Sequence, residues 1–109
     1  MATVNDVTTK NAILSAISTA ISTGGKIRVY QSTTVLAELI NVVFGSPSAG
    51  TMTFTATADS SNDASGTADA VKILNSSNTV IITFAGGEFT IGSVVASGTT
   101  TLTAGSLSI

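Results

Sequence analysis

The spacing of apolar residues changes period once along the chain. Up to Ile21 they fall three and four apart, at Val4, Val7, Leu14, Ile17 and Ile21, with Asn11 in the same row and Ala12, Ile13, Ala16 and Ala20 beside it. An apolar stripe on a 3.6-residue period predicts a helix from Val4 or Asp6 to Ile21. Asn5 or Asp6 is the candidate N-cap, because a short side-chain oxygen can accept from the free amides of the first turn. Gly24-Gly25 is the candidate stop, since a glycine takes the positive φ that follows many helices. The stripe has two readings: it packs the helix on its own domain, or it docks the helix onto a neighbouring subunit.

Beyond Gly25 the period becomes two. Lys26-Ile27-Arg28-Val29-Tyr30 alternates polar with apolar, and Thr33 to Phe44 is a β-branched, apolar stretch that predicts a second strand. Gly45-Ser46-Pro47-Ser48-Ala49-Gly50 holds the only proline and predicts a turn. The cleanest alternation follows, with Thr51, Thr53, Thr55 and Thr57 on one face and Met52, Phe54, Ala56 and Ala58 on the other. It predicts a half-buried strand whose threonines face outward. Asp59 to Gly66 has the composition of an exposed loop. Thr67 to Leu74 and Thr79 to Phe84 predict a hairpin closed by Asn75-Ser76-Ser77-Asn78, with Val71, Ile73, Val80, Ile82 and Phe84 as its core set. Four short strands complete the pattern, at Glu88 to Ile91, Ser93 to Ala96, Thr99 to Thr103 and Ser106 to Ile109. The expectation is one domain over residues 1–109, in which a helix in residues 1–23 precedes an antiparallel β-sandwich or barrel-like unit over residues 26–109, built from roughly seven to nine short strands.

Composition narrows what such a domain can do. Thr (19) and Ser (15) make up nearly a third of the 109 residues, while only 9% are charged and the net charge is −2. With 43% apolar residues the chain has the material for a core and is not of disordered composition. Cysteine and histidine are absent, which excludes thiol nucleophiles, Ser-His-Asp relays and the usual zinc, haem and iron–sulfur ligand sets. Four basic residues, Lys10, Lys26, Arg28 and Lys72, do not make a nucleic-acid footprint. The apolar runs are too short for a membrane span and no basic region opens a signal peptide. The expectations are therefore no nucleic acid and no membrane as partner, and no secretory leader.

Candidate chemistry is sparse. The carboxylates Asp6, Glu38, Asp59, Asp63, Asp69 and Glu88 show no spacing that marks a catalytic pair. Asp59, Asn62, Asp63 and Asp69 gather hard oxygen ligands around one loop, but without the glycine and bidentate glutamate of an EF-hand; an Asx-rich turn is the simpler reading. Asn75-Ser76-Ser77 fits a glycosylation sequon in what reads as a hairpin loop. Gly24-Gly25-Lys26 and Gly86-Gly87 lack the surroundings of a phosphate loop. Four phenylalanines in strand patterns read as core anchors, and no tryptophan is present for stacking sugars or bases. No catalytic, cofactor-binding or metal residue is assigned and no cofactor is expected. What remains is a surface of Thr, Ser and Ala that costs little to desolvate and suits a protein living in an assembly.

An ordered set of segments carries a resemblance: Ala12-Ile13-Leu14-Ser15-Ala16-Ile17, Lys26-Ile27-Arg28-Val29-Tyr30, Leu36-Ala37-Glu38-Leu39 leading to Phe44-Gly45, Ala64-Ser65-Gly66-Thr67-Ala68 running into Val71-Lys72-Ile73-Leu74, and the Thr/Val-rich C-terminal strands. In this order, over nearly the whole chain, it resembles small virion structural proteins of tailed bacteriophages. The sequence departs from that pattern at Gln31-Ser32-Thr33-Thr34, a short link where relatives often carry a longer loop. The resemblance implies a non-enzymatic virion part: a head decoration or cement protein on the capsid exterior, or alternatively a tail, collar or fibre-associated component. It also implies the major capsid protein or other virion proteins as partners, a homo-oligomeric or lattice-bound state, and a virion location after assembly in the bacterial cytoplasm. A host- or glycan-binding module is the competing class. The expected contact residues are Ala12, Ile13, Ile17 and Ile21 on the helix, Ser46 and Pro47 in the proline turn, and Asp59, Asn62 and Asp63 in the acidic loop.

Overall fold

The computed structural model describes residues 4–21, 23–85, 93–102 and 105–108. It is mainly β: one N-terminal helix and an antiparallel six-stranded sheet curled into a half-barrel. The helix α1 spans Val7–Ile21, and the strands are β1 (Lys26–Gln31), β2 (Thr34–Phe44), β3 (Thr51–Thr57), β4 (Gly66–Thr67), β5 (Ala70–Leu74), β6 (Val80–Ala85), β7 (Ser93–Val94) and β8 (Gly105–Ser108). The large sheet runs β6-β5-β1-β2-β3-β8, and β4 pairs with β7 in a separate two-stranded ribbon. This is the barrel-like form of the expected architecture, with the helix contributing Ile21 and the β4–β7 ribbon Val94 to the core inside the curl.

Local chemistry sets the ends of α1. Asp6 caps the first turn: its Oδ2 accepts from the Thr9 amide at 3.0 Å and from the Thr9 hydroxyl at 2.7 Å. The hydrogen bonds from the Thr9 hydroxyl and amide hold the Asp6 carboxyl below the ordinary aspartate value of 3.8. A depressed folded-state value means that the cap stabilises above the unfolded value and is lost as pH falls through the folded one. A carboxyl-resonance titration of Asp6 is therefore expected to have its midpoint below 3.8. Asp6→Asn, which caps without titrating, should abolish the acid fraying of the first turn. At the other end Gly24 has φ +80°, as a helix stop requires. Gly25 is needed for space: a Cβ there would lie 2.4 Å from Ile21 Cγ2, so its bare backbone lets the helix end close down on β1.

The core lies on the concave side. Ile27 and Val29 of β1, Leu36, Ala37, Leu39 and Val42 of β2, Phe54 of β3, and Val71 and Ile73 of β5 form one buried cluster with Ile21. Leu14 is fully buried, Ile17 packs against the cluster, and the helix touches both β3 and β6. The apolar stripe thus packs α1 on its own sheet. Phenylalanines mark the curl: Phe54 lies 5.7 Å from Phe44 on neighbouring β2 and 6.4 Å from Phe84 on β6, three strands further round. Of the predicted hairpin core set, Val71 and Ile73 are buried, whereas Val80 is 43% exposed. Val80 is corrected to a surface position; it sits at the outer end of an edge strand.

Two bulges break the alternation of β2. Val29 pairs with Ala37 but Tyr30 with Val35, which leaves Leu36 as an extra residue. Leu36 and Ala37 are both buried, and the Leu36 carbonyl accepts from the amides of Asp63 and Ala64. Further on, Ile40 pairs with Thr57 and Val43 with Thr55, so three steps on β2 oppose two on β3. Asn41 absorbs the extra residue with φ +55°. The bulge turns Val42 inward and sends both Ile40 and Val43 outward. Of the predicted C-terminal strands, Ser93 to Ala96 is shorter than expected. Thr99 to Thr103 is represented by an isolated bridge from Thr100 to Asp59, and Glu88 to Ile91 lies outside the described residues.

Candidate interaction face

The outward side of the sheet divides into two unlike halves. On β1 and β5 it carries charge. Arg28 stands opposite Glu38 on one side and Lys72 on the other. The Arg28 Nε–Glu38 Oε2 distance is 2.6 Å with both side chains part-exposed, and the hydrogen bond to Glu38 raises the guanidinium further above its usual value. Two like charges opposite each other would destabilise the sheet. Here Glu38 neutralises Arg28, and the Lys72 ammonium lies over the Tyr30 ring, 4.8 Å from its centroid. The Asn78 side-chain oxygen, held at the tip of the β5–β6 turn, accepts from both Lys26 and Arg28.

Beyond Glu38, from Ile40 onward on β2 and across β3 and β8, the outer side carries no charge among the described residues. The register sets Ile40 beside Thr57, Val43 beside Thr55, Thr53 beside Ser106 and Thr51 beside Ser108. The Thr51 and Ser108 hydroxyls are hydrogen-bonded at 3.0 Å. Ile40 is 45% and Val43 62% exposed, and Met52 and Phe54 between the threonines point into the core. This surface can cover apolar area with few groups to desolvate and can offer hydroxyls that both donate and accept. Next to it an open groove of about 370 Å³ is lined by Ser18, Thr19, Thr23, Val42, Val43 and Phe44.

The contact residues expected from the sequence divide differently. Ala12 is exposed on α1, Ile13 and Ile17 are half-buried, and Ile21 is 1% exposed within the core. Ser46 is exposed and Pro47 half-buried in a loop that the Asn11 side chain ties to the helix by accepting from the Gly50 amide at 3.0 Å. Asp59, Asn62 and Asp63 lie in one loop; Asp63 is exposed, whereas Asp59 and Asn62 direct their side-chain polar atoms to the protein's own groups. Asp59 Oδ2 accepts from the Glu38 amide and Oδ1 from the Ser61 amide, each at 2.9 Å. Asn62 is 5% exposed; its Nδ2 donates to the Val95 carbonyl at 3.1 Å and its Oδ1 accepts from the Thr100 hydroxyl at 2.8 Å. Ile21 and Asn62 are therefore corrected from contact to interior positions, because neither leaves side-chain area for a partner. The acidic loop forms an Asx turn and a clip across residues 95–100, and among the described residues no group of three acidic side chains is placed to hold a metal ion.

The uncharged half-face went unrecognised in the sequence beyond its threonines. Ile40 and Val43 belong to it only because of a bulge, and Ser106 and Ser108 only through the pairing of β8 with β3. Compared with protein-family models, curated proteins and solved structures, the chain matches none.

Proposed function

We propose that the chain is a non-enzymatic structural component of a bacteriophage virion, a decoration or cement protein that binds the outer head surface and stabilises the shell. The observation that carries the reading is the uncharged outer surface formed by β2 from Ile40 onward, β3 and β8, with Ile40 and Val43 exposed among threonines and serines. Such a face suits repeated, modest protein contacts, and many copies on one shell would supply through avidity what one contact lacks. The order of sequence segments that resembles tailed-phage virion proteins supplies the rest.

Quantitative mass spectrometry of virions purified from the host that carries this coding sequence tests the proposal. The chain is expected at hundreds of copies per particle, and to rebind stripped or empty capsids when added back. A handful of copies would move it to the tail or collar, and absence from the particles would overturn the virion reading.

A further inference from the structure

Three of the chain's four basic residues, Lys26, Arg28 and Lys72, stand on the outer side of two adjacent strands, β1 and β5, with Lys72 directly opposite Arg28. Sheet stability alone disfavours that placement, because like charges facing each other across a ladder repel. Glu38 neutralises Arg28, and among the described residues no ion pair reaches either lysine. Lys26 donates to the Asn78 side-chain oxygen, and the Lys72 ammonium rests on the Tyr30 ring. Asp59 and Asp69, the carboxylates bonded into this region, accept from the backbone amides of Glu38 and Ser61 and of Ser32. Three cations against Glu38 give the cluster a charge of +2 within a chain of net charge −2, so the remaining residues carry −4. Lys26 pairs in register with Ile40, which makes the cluster continuous with the uncharged surface.

We infer that the cationic half of the outer face binds the carboxylates of an acidic protein segment. The inference names the chemistry of the partner in the proposed assembly, and rests on that reading only for the partner's being a virion protein. Charge complementarity identifies the occupant. Aspartate or glutamate side chains set over Lys26 and Lys72 would neutralise the two lysines that Glu38 leaves uncompensated and relieve the repulsion between Lys72 and Arg28. A nucleic acid fits less well. Two uncompensated lysines release few counterions, and the Tyr30 ring that a base would stack on already carries the Lys72 ammonium. The −4 on the rest of the chain also repels any polyanion that extends past the patch, whereas an acidic segment of a few residues stays within it.

Nuclear magnetic resonance titration of the isotope-labelled full chain with a hexaglutamate peptide tests the inference. It needs no virion, so its failure and the failure of the virion reading are separate results. Saturable shifts are expected at Lys26, Arg28, Lys72 and Asn78. They should be absent with a hexaglutamine peptide and lost as salt is raised to about 1 M, where the screening length falls to about 3 Å. The double variant Lys26→Gln, Lys72→Gln leaves the Arg28–Glu38 pair in place. It should keep its circular dichroism spectrum while the peptide's dissociation constant weakens by about fivefold or more. Lys26→Arg with Lys72→Arg, which keeps the charge, should bind as the parent does. No saturable shift at these residues, or equal binding by the glutamine variant, would overturn the inference. Tighter binding of an oligonucleotide of equal charge would give the patch to nucleic acid instead, and salt-sensitive self-association through the same residues would give it to a second copy; either result overturns it as well.

Discussion

Replacing Leu14 with alanine is expected to destabilise the protein by about 2–5 kcal/mol, the range for emptying a fully buried leucine site. For a domain of this size that lowers the melting temperature by roughly 10–20 °C, read by thermal circular dichroism. The reason is architectural. Beside the small β4–β7 ribbon, which contributes Val94 to the core, α1 covers the hollow of the half-barrel, with Leu14 at 0% and Ile21 at 1% exposure and the helix touching strands as far apart as β3 and β6. Deleting residues 1–22 should accordingly produce an insoluble or non-cooperatively melting chain, because the inner side of the sheet would lie open to water. A soluble truncated domain with a sharp melt would instead make α1 a detachable docking arm.

Asn62→Ala is expected to cost about 2–3 kcal/mol, although the residue lies in a polar loop where most substitutions are mild. Alanine keeps the loop's backbone bonds but removes the acceptor of the buried Thr100 hydroxyl and the donor to the Val95 carbonyl. Hydrogen exchange should show where the loss falls: the amides of Ser97 and Thr100, which donate to the carbonyls of Asn62 and Asp59, lose protection first. An exposed, partner-binding Asn62 would give a variant as stable as the parent with only binding impaired. Asn62→Asp separates the two polar contacts, since a carboxylate still accepts from Thr100 but cannot donate to Val95.

Much of the architecture is legible in residue order wherever local periodicity and tertiary burial agree. The helix stripe, a cap at Asn5 or Asp6, a stop at Gly24-Gly25 and the strand Thr51–Thr57 all follow from spacing and side-chain chemistry, because each is decided within one or two turns or pleats; the structure selects Asp6 and Gly24. β2 is less legible. Its run of apolar residues hides two bulges, and whether Ile40, Val42 and Val43 face in or out depends on which residues of β1 and β3 they meet. Asn62 shows the same limit in the opposite sense: its composition reads as solvent-facing, yet partners more than thirty residues away at Val95 and Thr100 turn it inward. The choice between sandwich and curled sheet likewise depends on Phe54 meeting Phe84 across the hollow, a contact between strands that no period in the sequence relates.

The central claim is that the uncharged outer surface of β2 from Ile40 onward, β3 and β8 is covered in the assembled state. A density map of the virion, with this chain resolved at side-chain level, tests it most directly. The account predicts Ile40, Val43 and the threonines of β3 seated against another protein at most copies. A particle in which those side chains face solvent, or in which the chain has no ordered place on the shell, would contradict it.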